Sequence, residues 1–270
     1  AVASANDACV AMAEHISGSE GDFVKLMNAR AEELGMSNTH FVNCCGLDAE
    51  EHLTTARDVA LMSRELLRNH PQIHEYCTIW MENITHQTAR GSFEFGLTNT
   101  NKLIRQYEYA TGLKTGYTSV AGFCVSASAK KENIELVAVI MGGADSKSRF
   151  QDAVTLLNSG FACCSLYTDE NRAALPKIPV KGGVEGQVGL QYADEFSYVS
   201  TDGSNLSQVE RVPKLPEEVT APVEKGDRIG SMVYVLNGRE IGSTELLAAD
   251  TVERAAYGDY IGQVFRIFLL

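Results

Sequence analysis

Lys114-Thr115-Gly116 is the segment of this 270-residue chain best equipped for chemistry. A lysine and a hydroxyl side by side on one strand offer a carboxylate a positive charge and a hydrogen-bond donor. Gly116 has no side chain, so a ligand backbone can approach the strand edge there. Extended peptides bind such edges by adding a strand. A second element, Ser4-Ala5-Asn6, lies 110 residues upstream, directly before a helix. By position alone Ser4 or Asn6 can be a simple N-cap. Read with the first element, this second one becomes a candidate for the same site.

Other candidates read as structural. His70 and His74 have a helical metal-ligand spacing, but Pro71 interrupts the helix and no third ligand is evident, so no metal is expected. Glu32-Glu33 and Glu50-Glu51 read as solvated faces, Trp80 as core, and Thr54 to Asp58 as a helix start. Asn99 and Asn101 fall in a loop that could edge the Lys114 site.

The elements that must carry these residues follow from periodicity. Apolar spacing predicts helices over 7–16, over 20–34 behind Ser19, and from Thr54 or Thr55 to just before Pro71. From about Gly112 the period changes to that of strands. Gly122–Ala129 and Ile134–Met141, joined by the polar 130–133, predict an antiparallel hairpin, followed by a helix begun by Asp145 or Ser146 with Phe150, Val154, Leu157 and Phe161 on one face. All seven cysteines lie before Ser165 and five of the six prolines after it, which marks a domain boundary near 164–170. Beyond it, short strands alternate with Gly/Pro/Asn turns, and Asn237-Gly238 is a strong hairpin signal. The expected organisation is 1–166, then a small β domain over 167–251, then an amphipathic helix over 252–270 suited to a membrane surface.

Apolar residues at 44% and charged residues at 21% exclude disorder. The net charge of −12 divides evenly: 13 basic against 19 acidic residues up to Tyr167, and 10 against 16 after it. Neither part has the footprint of a nucleic-acid binder, and no apolar run is long enough to span a bilayer. The cysteines form two vicinal pairs and no C-x-x-C, which gives no support for a zinc ribbon or a thioredoxin motif.

Penicillin-binding proteins and class A β-lactamases share the motifs S-x-x-K, S-D-N and K-T-G; this chain has, in order, the second as S-A-N at Ser4-Ala5-Asn6 and the third intact at Lys114-Thr115-Gly116. The flanking stretches SANDACVAMAEHISGSEGDFVKLMNARAEELGMSNTHFVNCCGLDAEEHLTTARDVALMS and NTNKLIRQYEYATGLKTGYTSVAGFCVSASAKKENIELVAVIMGG resemble the D-alanyl-D-alanine carboxypeptidases, the low-molecular-mass penicillin-binding proteins. The resemblance covers nearly the whole chain. It implies an α+β transpeptidase-like domain followed by a small all-β domain and a C-terminal amphipathic helix. It implies export to the outer face of the membrane, peptidoglycan stem peptides ending in D-Ala-D-Ala as substrate, β-lactams as inhibitors, and no cofactor. The catalytic residues it implies here are Ser4, Asn6 and Lys114. Lys114, Thr115, Gly116 and Tyr117 would bind substrate, Tyr117 through its backbone N–H in an oxyanion hole.

The first motif should precede Ser4, and no Ser-x-x-Lys lies there in this chain. Ser128-Ala129-Lys130-Lys131 has the spacing but follows K-T-G at a strand end, and reads as chance. The nucleophile is therefore expected outside these residues, the chain being shortened at its amino terminus and inactive alone. The alternatives are a non-catalytic penicillin- or wall-binding protein, or a serine β-lactamase. The latter usually ends soon after the K-T-G hairpin and its closing helix, whereas roughly 100 residues follow here.

Overall fold

Short polar side chains start the helices of the first unit. Ser19 accepts from the Asp22 N–H ahead of α2 (Glu20–Glu33), and Thr55 accepts from the Asp58 N–H ahead of α3 (Ala56–Asn69). The preceding helix, α1 (Asn6–Ser17), has Ala5 at its cap and no capping side chain, and Gly18 closes it at φ 79°. The structure is a computed structural model that describes residues 1–89, 91–170, 172, 174–259 and 261. α1 and α2 each fully bury a single residue, Ala13 and Ala31. Met12 is 64% exposed and Leu26 55%.

After α3 come α4 (Ile73–Cys77), the hairpin β1 (Met81–Thr88) and β2 (Gly91–Thr98), and α5 (Leu103–Gln106). The core sheet has the order β3 (Ala110–Thr118), β4 (Gly122–Lys131), β5 (Ile134–Gly143), antiparallel throughout, with Lys114 opposite Ser126. The chain turns between β4 and β5 with Glu132 at φ 54°. The closing helix α6 (Ser146–Cys163) starts where the Asp145 carboxylate accepts from the N–H groups of Lys147 and Ser148. Its Phe150, Ala153 and Leu157 pack with Leu103, Val125, Ala127, Ala129 and Ala138, each large side chain contributing about 1.5–3 kcal/mol. α3 is joined to the sheet through Ser63 Oγ, 2.7 Å from Ser126 Oγ, and through Leu67, which clusters with Cys77 and Leu113.

The compact units divide after Ala162. The second consists of short strands: β6 (Ser165–Thr168), β7 (Ile178–Lys181), β8 (Gln187–Val188), β9 (Leu190–Tyr192), β10 (Ser197–Ser200), β11 (Glu210–Lys214), β12 (Val219–Thr220), β13 (Arg228–Leu236) and β14 (Arg239–Ala248). They form a four-stranded sheet β11-β13-β14-β9, a three-stranded sheet β12-β7-β8 and the pair β10-β6. Asn237 and Gly238, at φ 53° and 77°, make the β13–β14 turn, as their sequence predicts.

One boundary needs correction. The helix expected from residue 252 does not begin there. Val252 is buried and bridges Val223, and Arg254 bridges Gly183, so this stretch completes the β unit. Helical backbone appears only from 257, at 257–259 and 261 among the described residues. The rest of the expected helix lies largely outside the described residues, and no helix among the described residues is long and apolar enough to cross a membrane.

Candidate active site

Two segments 110 residues apart meet at one hydrogen bond: Lys114 Nζ donates to Ser4 Oγ at 2.8 Å. The same Nζ donates to the Thr115 carbonyl, also at 2.8 Å. Ser4 is therefore not spent on capping α1. It sits at φ 58°, in the left-handed region that non-glycine residues seldom adopt. Val2, buried two residues earlier, accepts from the Thr100 N–H and ties this segment to the loop before β3. Asn6 opens α1 with an exposed side chain that has no hydrogen-bond partner among the described residues.

Thr115 is buried, and its hydroxyl lies 2.7 Å from that of Thr100. Arg149 of α6, also buried, reaches up to β3 and donates from Nη1 to the carbonyls of Gly116 and Cys124, both at 3.0 Å. Its guanidinium lies over the rings of Phe123 and Phe150. A buried guanidinium behind β3 adds positive potential to that of Lys114 in a chain of net charge −12. Burial, opposed by the Cys9 and Cys77 thiols and reinforced by Arg149, holds the Lys114 ammonium below the usual lysine range. Neither Thr100 nor Arg149 was legible as a site residue. Thr100 is a lone threonine in a loop, and Arg149 adjoins the apolar stripe of its helix.

β3 is an edge strand of its sheet. A methyl group at Gly116 would touch only Cys124 Cβ, at an ordinary 3.9 Å, so packing within the protein does not require glycine there. Tyr117 is 60% exposed, its ring 4.4 Å from that of Phe123. A cleft of about 410 Å³ is bounded by Lys114, Thr115 and Gly116 on β3, Ser126 on β4, and Met62 and Ser63 on α3.

The remaining candidates take structural places. Ser128 has no exposed surface and accepts from Thr111 Oγ1, which removes it as a nucleophile. Asn99 and Asn101 do not edge the cleft with their side chains. Asn99 donates to the carbonyls of Cys77 and Ile79 and accepts from the Asn101 N–H, while Asn101 accepts from the Leu103 N–H. His74 lies between the Thr111 carbonyl and Glu135, whereas His70 is exposed. Trp80 is half-buried, under the Arg105 guanidinium.

The sequence and fold of the chain have parallels among known proteins. Residues 1–145 match the family described as D-alanyl-D-alanine carboxypeptidase, and 167–254 match the C-terminal domain of penicillin-binding protein 5. The chain belongs to the D-alanyl-D-alanine carboxypeptidase family. It is 35% identical to the D-alanyl-D-alanine carboxypeptidase DacF of Bacillus subtilis, over 95% of this chain and 65% of that protein. It is 31% identical to DacC of Escherichia coli, over its full length and 65% of the relative's. The chain thus spans about two thirds or slightly less of these curated relatives. Among solved structures, penicillin-binding protein 5 of Haemophilus influenzae superposes with a TM-score of 0.68 at 30% identity, covering 93% of this chain and 72% of that one. Penicillin-binding protein D2 of Listeria monocytogenes, solved with cefotaxime bound, matches 58% of this chain and 62% of its own at 33% identity and a TM-score of 0.50. The expected class, a transpeptidase-like α+β domain followed by an all-β domain, agrees with these neighbours.

Proposed function

We propose that these residues are part of an exported serine D-alanyl-D-alanine carboxypeptidase that removes the terminal D-alanine from peptidoglycan stem peptides, and that the nucleophile and its lysine lie outside them. The observation carrying this reading is the Lys114–Ser4 hydrogen bond, which unites the K-T-G and S-x-N elements at one edge strand. Lys114 draws the substrate's terminal carboxylate by charge, and the Thr115 hydroxyl donates to it. Asn6 holds the substrate's peptide group, and Gly116 leaves room for the peptide to lie along β3. The nucleophilic serine oxygen attacks the penultimate D-alanine carbonyl, and the Tyr117 N–H shares the developing oxyanion with the N–H of that serine. Ser4 relays a proton toward the departing D-alanine amine. Water then hydrolyses the acyl-enzyme. β-Lactams acylate the same serine. Residues 256–270, after the Ala255 N–H that donates to the Gly182 carbonyl, lie on the membrane surface, and loss of vesicle co-sedimentation on deleting them tests that point.

Reading the gene upstream of the Ala1 codon is the first check, with Ser-x-x-Lys behind a signal peptide as the expected result. The protein so extended should carry fluorescent penicillin as a covalent band on a denaturing gel and release D-alanine from a D-alanyl-D-alanine peptide. No label would refute the enzyme. Label without D-alanine release would favour a penicillin-binding protein lacking carboxypeptidase activity.

A further inference from the structure

The segment after α2 closes on itself around two adjacent thiols. Asn43 Oδ1 accepts from the N–H groups of Gly46 and Leu47 at 2.7 and 3.1 Å, and Asn43 Nδ2 donates to the Leu47 carbonyl at 2.8 Å. Gly46 allows this turn at φ 80°. Cys44 and Cys45 are thereby carried to Glu20, the first residue of α2. One oxygen of that carboxylate accepts from both the Cys44 N–H, at 3.1 Å, and its Sγ–H, at 3.2 Å. One ligating atom each from Glu20, Cys44 and Cys45 lies within 4.8 Å of the others, and all three residues are half-buried. None of them is used by the site around Lys114.

Two sulfurs and one carboxylate oxygen form a donor set for a thiophilic divalent ion. Bonds of about 2.0–2.3 Å in a tetrahedron place ligand atoms about 3.3–3.8 Å apart, so small side-chain rotations bring these three into range. The Cys44 proton, directed at Glu20, stands where an ion would balance the charges.

We propose that Glu20, Cys44 and Cys45 bind one thiophilic divalent cation of the zinc class, leaving a fourth position for water or an external ligand. Binding releases one proton from each ligating thiol. The ion pins the 43–47 loop to α2. The residue after that loop, Asp48, accepts from Thr118 Oγ1 at 2.7 Å at the end of β3, so the ion braces the chain beside the Lys-Thr-Gly strand. This inference does not depend on the proposed activity.

The test titrates the reduced 270-residue chain with Cd²⁺ alone and follows the sulfur-to-cadmium charge-transfer absorption. One equivalent should saturate the band in the wild-type chain and in Cys9→Ser and Cys163→Ser. The band should vanish in Cys44→Ser/Cys45→Ser, and affinity should fall at least about tenfold in Glu20→Gln. Binding should weaken as pH falls, because protons compete for the thiolates. A second measurement needs no variant: stoichiometric Cd²⁺ should protect Cys44 and Cys45, but not Cys9, from alkylation, as read by peptide mapping. Absence of a band in the wild-type chain, an equal band in the double variant, or uniform alkylation overturns the site.

Discussion

Lys114 Nζ is held between two oxygens, Ser4 Oγ and the Thr115 carbonyl, each 2.8 Å away. Its charge is thus aimed rather than free to wander. In the protein extended to include its nucleophile, Lys114→Ala should slow acylation by penicillin by about 10²–10³, the loss typical of one aimed donor. An unchanged acylation rate would remove Lys114 from the proposed role. Because burial holds the ammonium below the usual lysine range, the positive form is lost at a lower pH than for a free lysine. Acylation should therefore fall on the alkaline side, and Lys114→Arg, which stays protonated, should keep its residual rate flat through that range. Ser128 supports a complementary expectation. Fully buried and hydrogen-bonded, it cannot meet a β-lactam, so the 270 residues alone should show no covalent penicillin band. A labelled band at this chain's mass would locate a nucleophile within it. At this scale the sequence displayed the residue types and their order. It could not distinguish Ser4 as a cap from Ser4 as Lys114's partner, because that choice depends on a contact between distant segments.

β3 is held in place by elements of unequal legibility. α3, α6 and the β4–β5 hairpin carry clear periodicity because one face of each is buried. The β1–β2 hairpin escaped the sequence reading for the opposite reason. All eight residues of β1 are exposed, so alternation carries no burial signal, and Phe93 and Phe95 on β2 are half exposed as well. Asn99, just after that hairpin, falls by sequence in a loop that could edge the site, yet its amide binds the backbone of the segment from α4 to the loop before α5. Two carbonyls, at Cys77 and Ile79, and the Asn101 N–H depend on its amide. Asn99→Ala should leave buried groups unpaired and cost about 1–3 kcal/mol, lowering the first unit's midpoint in urea. A change below about 0.5 kcal/mol, the range of ordinary surface substitutions, would show that water replaces the amide freely.

At the scale of the whole chain, the two units close their cores to different degrees. In the second, Ile178, Val180, Val188, Ala248 and Val252 form one cluster, and Met232, Tyr234 and Leu246 form another with Tyr167 and Phe196. All of these residues come from 163 onward. Asp169, also buried, is paired with Arg211 at 3.0 Å and accepts from Tyr234 at 2.8 Å. The Tyr234 hydrogen bond falls on Oδ2 and the Arg211 charge faces Oδ1, so both oxygens of this buried carboxylate are engaged from within the second unit. The first unit leaves Met12, Ile16 and Leu26 exposed on α1 and α2. An apolar groove of about 320 Å³ also opens among Phe23, Leu26, Met27, Phe41 and Met62. Exposed apolar surface of this kind forfeits about 25 cal/mol for each Å² left in water, so the first unit should be the less stable. Residues 163–259 expressed alone should show β-rich circular dichroism and unfold cooperatively, with a midpoint matching the later of two transitions in the 270-residue chain. Amide exchange in that chain should be fastest in α1 and α2 and slowest in β13 and β14, and a dye that reports exposed apolar surface should bind the whole chain but not the isolated β unit. If the isolated unit lacks a cooperative transition, or if the whole chain unfolds in one step with uniform protection, the two cores stabilise one another and the second is not self-sufficient.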